Sequence, residues 1–287
     1  MLSYEAPSTV EDTVRILAAS SDAKVLSGGT DLLVQLRSGR ANPKLIVDIK
    51  NIPDISGIRE ENGAFVIGAA TAGAVIGECA ALREAWPGVV EATNLIGSTQ
   101  VQGRASLAGN LCNASPAADS VPALIAARAS CVVAGPSGRR NVPVETIVIG
   151  PGRTSLAPGE FILAFYLPKR PPRSADAYLR FIPRTEMDIA VVGAGVNLTF
   201  DSDGICSEAR VVLGAVAPTA IIVQEGEAAL VGRALDETAL ANLDRAVRLA
   251  CKPIADKRGT IEYRIKVAGV MARRAAVIAN ERAGTRQ

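Results

Sequence analysis

One stretch near the N-terminus constrains the fold of this chain more than any other. Residues 23–52 pass from a short apolar run through the pair Gly28-Gly29 into "TDLLVQLRSG" and end in the apolar run "LIVDIKNI". A strand, a glycine turn, a helix and a second buried strand, in this order, are typical of a βαβ unit, whose strands pair in parallel. The sequence therefore predicts such a unit, with a free helix N-terminus at its first turn, near Leu32.

The glycine turn also has the properties of an anion-binding site. No Cβ atom crowds the backbone at Gly28 or Gly29, and the N–H groups that lead into the helix point outward at the positive end of its dipole. A phosphate group fits such a position, but a tight strand-to-helix turn without a ligand has the same sequence. On this turn alone, both interpretations stay open.

A second turn of small residues lies at "SLAGN", residues 106–110. Ser106 offers a hydroxyl group, Asn110 offers an amide group, and Asn113 can reach the same side of the loop. Two such turns are able to hold a pyrophosphate from both sides. Asp119 precedes an apolar helix, and its side chain can cap the N-terminus of that helix. It can also accept hydrogen bonds from ribose hydroxyls or an adenine amine, and the two roles can coexist.

Turn and strand signals divide the rest of the chain. The pair Asn62-Gly63 between two alternating runs predicts a β-hairpin, and the Pro- and Arg-rich residues 168–177 predict a linker. Alternating runs after the linker predict an antiparallel meander that is followed by helices. We therefore predict three units, which are a small βαβ unit at 1–54, a second unit at 55–170 and an antiparallel sheet with helices at 177–287.

Composition limits the chemistry that this chain can perform. The 31 basic and 29 acidic residues leave a formal charge of +2, and one Trp, four Tyr and five Phe are few aromatics, so binding to nucleic acid is not expected. Histidine is absent, which removes the commonest general base and metal ligand. The five cysteines stand far apart and form no metal or iron–sulfur motif. We expect no catalytic residue and no metal site here, and we expect a bound group to supply any reactive centre.

One segment has about the length of a membrane span. Residues 63–82 are apolar, but Thr71, Glu78 and several glycines interrupt them and Leu is scarce, so a buried strand followed by a buried helix explains the run better. The N-terminus has neither the basic start nor the apolar run of a secretory signal. The sequence predicts no membrane span and, by default, a cytoplasmic location.

Four segments of the chain resemble a known family. They are "LSGGTDLLVQLRSG", "IGSTQVQGRASLAGNLCNASPAADSVPALIA", "RTEMDIAVVGAGV" and "ADKRGTIEYRIKVAGVMARRA", and they occur in the family's order over nearly the whole chain. The chain is similar to the FAD-binding medium subunit of the molybdenum hydroxylases, the xanthine dehydrogenase and carbon monoxide dehydrogenase family. The resemblance implies an α+β protein with the PCMH-type FAD-binding fold, in which two α/β subdomains precede a C-terminal antiparallel sheet with a helical bundle.

The resemblance also implies which residues contact FAD. The motif "SGGTDL" matches the first pyrophosphate loop of the family, and "SLAGN" matches the second. Ile162 and Arg180 correspond to contacts at the flavin end of the cofactor. Gly97 corresponds to a position at which the chain of the family members passes close to the cofactor. The implied FAD contacts are Ser27, Gly28, Gly29, Thr30, Asp31, Leu32, Gly97, Ser106, Leu107, Ala108, Gly109, Asn110, Asn113, Asp119, Ile162 and Arg180.

The sequence departs from the family pattern at several positions. Gln102-Gly103 replaces the usual Arg-Asn, Ala108 replaces the first Gly of Gly-Gly-Asn, and Arg180 replaces a usual lysine. If position 108 requires a positive φ, an alanine there costs about 1 kcal/mol. Ile189 stands where the carbon monoxide dehydrogenase branch has an aromatic residue, which is more similar to the xanthine dehydrogenase and N-heterocycle dehydrogenase branches.

The function that the resemblance implies is that of an FAD-carrying electron-transfer subunit. The expected partners are a large subunit with the molybdenum cofactor and a small subunit with two [2Fe-2S] clusters, assembled as a dimer of heterotrimers. FAD then passes the electrons to an acceptor. Two alternatives stay open, which are a stand-alone flavin oxidoreductase that uses Cys112, Tyr166 or Tyr178 beside the ring, and a non-redox nucleotide-binding scaffold subunit.

Overall fold

The computed structural model of the chain describes residues 1–184 and 187–284. Its N-terminal part is a three-stranded parallel sheet with two helices. The elements are β1 (Ser3–Glu5), α1 (Val10–Ala19), β2 (Ala23–Leu26), α2 (Leu32–Arg37) and β3 (Leu45–Asp48). Strand β3 lies in the middle and pairs in parallel with both β1 and β2. The predicted βαβ unit is confirmed as β2, α2 and β3.

The middle of the chain forms a five-stranded antiparallel sheet and a series of short helices. In chain order the elements are β4 (Ile58–Glu61), β5 (Ala64–Gly68), α3 (Gly73–Glu78), α4 (Ala80–Ala85), α5 (Pro87–Thr93), α6 (Thr99–Gln102), α7 (Leu107–Cys112), α8 (Ser120–Ala126), β6 (Ser130–Gly135), β7 (Gly138–Pro143), β8 (Val148–Gly150), β9 (Arg153–Thr154) and β10 (Phe161–Leu167). The strand order of the large sheet is β4-β5-β10-β6-β7. The predicted hairpin joins β4 to β5, and φ is positive at both Asn62 and Gly63, as a type I′ turn requires.

The C-terminal part is a four-stranded antiparallel sheet covered by helices. Its elements are β11 (Ser174–Phe181), β12 (Val192–Phe200), β13 (Cys206–Gly214), β14 (Ile221–Ile222), α9 (Gln224–Leu230), α10 (Glu237–Ala250) and α11 (Ile261–Gly284). The strands pair in chain order, which confirms the predicted meander. Helix α11 packs on β11 and β12 through a face rich in alanine, including Ala268, Ala272 and Ala276, and such short side chains allow close approach.

Two glycines bring the C-terminal sheet against α8. A Cβ atom at Gly195 of β12 would lie 2.8 Å from the carbonyl oxygen of Pro122, and one at Gly214 of β13 would lie 2.7 Å from the Cγ atom of the same proline. Only glycine permits a backbone approach of this kind. The C-terminal sheet is therefore packed directly on the middle part of the chain.

The connection between β10 and β11 is also held in place. Arg170 and Asp176 form an ion pair of 2.6 Å in which both side chains are buried, and the guanidinium group of Arg170 stacks 3.7 Å from the ring centroid of Trp86. Strand β11 begins at Ser174, so the prediction of a linker over residues 168–177 is wrong in its second half. The reason is that residues 174–177 pair with β12, which a local reading of Pro and Arg content does not reveal.

The sheets follow one another along the chain in the predicted order of units. They lie within residues 3–48, 58–167 and 174–222, in addition to the small β8–β9 pair. The unit boundaries at 54, 55, 170 and 177 stay a prediction. Within residues 1–184 and 187–284, no helix is both long enough and apolar enough to cross a lipid bilayer.

The close approach at Gly195 leads to a stability prediction. We expect Gly195→Ala to lower the free energy of unfolding by about 1–3 kcal/mol, because the new methyl group meets a backbone carbonyl that cannot rotate away. Gly284→Ala is the control, since a Cβ atom there has no neighbour within 4 Å among the described residues. Thermal unfolding of the full chain measures both variants, and equal midpoints would contradict the packing described here.

Candidate cofactor-binding cleft

A cleft of about 460 Å³ lies where the N-terminal unit meets the middle part of the chain. One wall is the turn between β2 and α2, and a second wall is the turn that leads into α7. Residues 152–162, around β9 and the start of β10, form much of the remaining wall. The cleft is therefore built mainly from three segments that are far apart in the sequence, within residues 17–35, 105–113 and 152–162, and Ile49 and Ile96 complete the lining.

The first turn presents backbone N–H groups to the cleft. Gly28, Gly29, Thr30 and Asp31 line it, and among the described residues no group accepts a hydrogen bond from their backbone N–H groups. Gly29 has a φ of +79°, a conformation that L-residues rarely adopt. This row of unpaired donors fits an anionic group such as a pyrophosphate, which accepts several backbone hydrogen bonds at once.

The second turn is closed by its own serine. The Ser106 hydroxyl accepts a hydrogen bond of 3.2 Å from the Gly109 N–H group and so caps α7. Ala108 lies inside α7, so its backbone has the ordinary right-handed conformation. The expected cost of an alanine at this position therefore does not arise, because position 108 does not require a positive φ.

The two turns contact each other directly. The hydroxyl groups of Ser27 and Ser106 lie 2.9 Å apart and are buried. The Arg104 guanidinium donates a hydrogen bond of 3.2 Å to the carbonyl oxygen of Gly28. A Cβ atom at Gly28 would overlap the carbonyl oxygen of Arg104, so glycine is required for this contact. A further link joins α2 to the residue after α7, where the Gln35 side-chain amide donates a hydrogen bond of 2.9 Å to the side-chain oxygen of Asn113. The geometry of each turn therefore depends on the other.

Asn110 is oriented by the start of α8. Its side-chain oxygen accepts a hydrogen bond of 3.2 Å from the Ser120 N–H group and one of 2.7 Å from the Ser120 hydroxyl. Because the oxygen is occupied in this way, the amide nitrogen is the end that can donate to a ligand in the cleft. This arrangement fits the role of a donor to an anionic group.

Most of the residues predicted as FAD contacts lie on the cleft wall. Those that line it are Ser27, Gly28, Gly29, Thr30, Asp31, Leu32, Ser106, Ala108, Gly109, Asn110, Asn113 and Ile162. The remaining four, Gly97, Leu107, Asp119 and Arg180, lie outside the lining. The assignment of all sixteen as FAD contacts stays a prediction.

Asp119 and Arg180 are paired with each other rather than directed into the cleft. Asp119 occupies the N-cap position of α8 as predicted, but its side chain accepts no hydrogen bond from the N–H groups of the helix. Its carboxylate instead accepts hydrogen bonds from Arg180 at 2.9 Å and from the Tyr178 hydroxyl at 3.1 Å. Burial raises the pKa of Asp119 to about 6, although Arg180 and Tyr178 act in the opposite direction.

Sequence reasoning did not identify several parts of the cleft wall. Leu17, Lys24, Ile96 and Gly152 line it, as do residues 156–160. The turn signal Pro158-Gly159 is visible in the sequence, and Gly159 has a φ of +84°. Nothing in the sequence connects it to a turn more than a hundred residues earlier, because the contact arises only on folding.

The titratable groups of the cleft are not set up for nucleophilic chemistry. Cys112 lines the cleft with an exposed side chain, and desolvation by the surrounding protein raises the pKa of its thiol. The reactive thiolate form is therefore less populated than in a free cysteine. Burial raises the pKa of Asp31 as well. Within the described parts of the chain, no three His, Cys, Asp or Glu side chains are grouped in a way that could hold a metal ion.

The cleft between the βαβ unit and the second small-residue turn, with its unpaired N–H groups, fits a protein that binds a phosphate-containing cofactor. The sequence matches two families over adjacent regions. Residues 1–170 match the FAD binding domain in molybdopterin dehydrogenase, and residues 177–278 match the CO dehydrogenase flavoprotein C-terminal domain. The chain belongs to the family of FAD-binding medium subunits of the molybdenum hydroxylases, so it is a flavoprotein subunit of a multi-subunit oxidoreductase, and FAD is its cofactor.

Individual relatives cover almost the whole chain. It is 33 % identical over 273 residues to the carbon monoxide dehydrogenase medium chain of Hydrogenophaga pseudoflava, with 95 % of this chain and 94 % of the relative covered. It is 31 % identical over 274 residues, with the same coverage, to a putative xanthine dehydrogenase FAD-binding subunit of Escherichia coli. These two identities are too similar to assign a branch, so the assignment from Ile189 stays a prediction.

Solved structures of relatives have the same fold. The carbon monoxide dehydrogenase from Hydrogenophaga pseudoflava that lacks the Mo-pyranopterin moiety of its cofactor matches with a TM-score of 0.94 and 34 % identity, and 98 % of each chain is covered. Quinoline 2-oxidoreductase from Pseudomonas putida 86 matches with a TM-score of 0.90 and 25 % identity over 99 % of this chain and 98 % of that one. The predicted α+β fold class is confirmed.

The contact between the two turns leads to a prediction about FAD affinity. We expect Gly28→Ala to raise the FAD Kd by at least about tenfold, because the added methyl group forces the turns apart. Gly103→Ala adds the same methyl group one residue from Arg104, where the nearest atom among the described residues would be 3.4 Å away, and should bind FAD like the unaltered chain. Flavin fluorescence titration measures both constants, and equal values would show that the contact does not matter for binding.

Proposed function

We propose that this chain is the electron-transfer subunit of a molybdenum-containing hydroxylase or dehydrogenase. FAD held in the cleft supplies the redox chemistry, receiving electrons from the [2Fe-2S] clusters of a partner subunit and passing them to an acceptor. The observation that carries this proposal is the direct contact between two turns whose unpaired N–H groups and side-chain amide line one cleft. Family membership supports FAD as the occupant of that cleft, because residues 1–170 match an FAD binding domain.

The residues of the cleft have distinct tasks in this proposal. The N–H groups of Gly28 to Asp31 and the amide of Asn110 bind the pyrophosphate from opposite sides. Leu156 is partly exposed and lines the cleft together with the largely buried Leu17 and Ile162, so the cleft also contains apolar side chains against which a ring system can pack. The protein thereby binds and orients the cofactor and does not itself contribute a reacting group.

The partners follow from the same family. The relatives are described as medium chains or FAD-binding subunits, which makes this chain one component of a larger enzyme. We assign the molybdenum cofactor to a large subunit and two [2Fe-2S] clusters to a small subunit, with the whole assembled as a dimer of heterotrimers. A cytoplasmic location is part of the same proposal.

A stand-alone flavin oxidoreductase is less well supported by the geometry. Such an enzyme needs a titratable side chain beside the flavin ring. Tyr166 lies outside the cleft lining, and Tyr178 is buried and donates its hydroxyl hydrogen to Asp119. Desolvation raises the pKa of the exposed Cys112 thiol, and burial together with the charge of Asp119 raises the pKa of Tyr178 well above its usual value, so neither of these two groups favours proton transfer near neutral pH.

Purification of the tagged full chain from the cells that produce it tests the proposed function. We expect flavin, iron and molybdenum in one complex, together with two further polypeptides that carry the metal centres. Introducing Gly28→Ala into that complex should abolish electron delivery to an artificial acceptor dye, while dithionite still bleaches the iron–sulfur absorption. The matched Gly103→Ala complex should behave like the unaltered one.

Three outcomes of this experiment would contradict the proposal. A yellow chain that purifies without iron or molybdenum and still oxidises an N-heterocycle would indicate a stand-alone flavin enzyme. A complex that contains no flavin would indicate a scaffold subunit. Unchanged dye reduction by a flavin-free Gly28→Ala complex would remove FAD from the electron path.

A further inference from the structure

Large apolar side chains are exposed together at one end of the C-terminal sheet. Leu249, near the end of α10, is 79 % exposed, and Ile254, in the connection to α11, is 73 % exposed. Ile261 and Tyr263 begin α11, and both are exposed, as is Ile189 before β12. Single exposed apolar residues are ordinary, but an apolar patch indicates an interaction surface. These five residues are called the α10–α11 patch below.

Hydrogen bonds to the backbone bring the elements of the patch to the same end of the sheet. The N–H group of Lys252, just after α10, donates 2.8 Å to the carbonyl oxygen of Val216, just after β13. Arg264 of α11 donates 2.9 Å to the carbonyl oxygen of Val191 and 3.3 Å to that of Ala215. The end of α10, the start of α11 and the start of β12 therefore meet where β13 ends.

Two ion pairs fix the segments that carry the patch. Arg258, in the connection between α10 and α11, donates a hydrogen bond of 3.0 Å to Asp188, which lies before β12. Arg264 donates one of 2.7 Å to Asp256, two residues after Ile254. The hydrogen bond from Arg258 and one from a backbone N–H group lower the pKa of Asp188 to about 2, so its carboxylate is ionised near neutral pH. The patch is therefore preorganised, which lowers the cost of docking a partner.

Tyr263 has the properties of an anchor residue at a protein interface. Its ring packs edge-on against Phe181 at the end of β11, with 6.0 Å between the ring centroids and 69° between the ring planes. The side chain nevertheless stays 43 % exposed. A tyrosine that is held on one side and exposed on the other offers a large contact area at a small entropic cost, and such residues contribute strongly to binding at interfaces.

The surroundings of the patch are positively charged. Residues 249–266 include five basic and two acidic residues. Lys252, Lys257 and Lys266 are exposed, and none of them forms an ion pair with a residue in the ranges 1–184 and 187–284. The surface that complements this patch is therefore apolar at its centre and acidic at its rim.

The charge of the patch favours one of the two partners in the proposed function. A [2Fe-2S] cluster is held by cysteine thiolates, and the thiolates and sulfide ions together give the cluster a net negative charge. The subunit that carries such clusters also has to approach this chain closely to deliver electrons to its cofactor. A positively charged rim attracts a negatively charged partner and speeds its association.

We propose that the α10–α11 patch is the docking surface for the partner subunit that carries the [2Fe-2S] clusters. The apolar side chains form the centre of the interface, and the three lysines pair with carboxylates of the partner at its rim. The proposal rests on the proposed function, because that function supplies the partner. It assigns to α10, α11 and the end of the C-terminal sheet a task in assembly that is separate from holding the cofactor.

The double variant L249E/I254E tests the apolar centre. We expect it to raise the Kd for the purified [2Fe-2S] subunit at least about tenfold, because docking would bury two unpaired carboxylates. Its flavin content and its thermal midpoint should not change, since both side chains are largely exposed in this chain. The matched control is I149E/V231E, which alters two exposed apolar residues outside the patch and should bind the partner like the unaltered chain.

The double variant K252E/K257E tests the charged rim. We expect it to raise the same Kd about tenfold, chiefly through slower association, and to make binding less sensitive to added salt. The control K44E/R139E reverses two exposed basic residues outside the C-terminal part of the chain and should change neither quantity. Titration of the full chain with the [2Fe-2S] subunit at low and high salt measures both variants.

The possible results decide between this partner and the other occupants of the patch. An unchanged Kd in both patch variants, or an equal rise in the control variants, overturns the proposal. A purified complex that loses the molybdenum subunit but keeps the iron–sulfur subunit would show that the patch binds the large subunit instead. An isolated chain that is dimeric, and that L249E/I254E makes monomeric, would show that the patch joins two copies of this chain.

Two further outcomes keep the test independent of folding and of the proposed function. If L249E/I254E does not fold, K252E/K257E and its salt dependence decide the question, because exposed lysines tolerate substitution. Failure of the unaltered chain to bind any iron–sulfur subunit would contradict the proposed function itself. Binding by the unaltered chain that survives in both patch variants contradicts only the placement of the docking surface.

Discussion

The rest of the structure depends on one contact, the meeting of two turns that are 79 residues apart at Ser27 and Ser106. The hydroxyl groups bond to each other in a buried position, and the backbone of Gly28 lies directly against that of Arg104. Because each turn limits the position of the other, the N–H donors of the first turn and the Asn110 amide of the second end up on the same cleft. An anionic group can then be bound from both sides by backbone N–H groups and the Asn110 amide.

A second contact holds the C-terminal sheet against α8. The close approach of Gly195 and Gly214 to Pro122 brings β12 and β13 onto α8, and α8 begins immediately after Asp119. Close packing of this kind excludes water, and the buried pair of Asp119 and Arg180 is satisfied only when the sheet lies in that position. Packing and polar bonding therefore act together to hold the C-terminal sheet against α8.

Sequence reasoning reached much of the fold because the relevant signals are local. The hairpin at Asn62-Gly63 follows from two residues that accept positive φ, and the unit β2–α2–β3 follows from one glycine turn between apolar runs. Two features could not be read from local sequence, the backbone conformation at Ala108 and the partner of the Asp119 carboxylate. The first follows from the helix that Ser106 caps, and the second is Arg180, which is 61 residues away in the chain.

The sequence by itself determined the small residues of the two turns, the absence of histidine, and the order of the segments that place the chain in its family. These features depend on residue identity and spacing, which are properties of the chain before it folds. Only the tertiary structure decided that residues 156–160 complete the cleft, that Tyr178 is buried and bonds to Asp119, and that Arg180 donates to the carbonyl oxygen of Leu95. Burial and hydrogen-bond partners decide these outcomes, and both depend on contacts between residues that are distant in the chain.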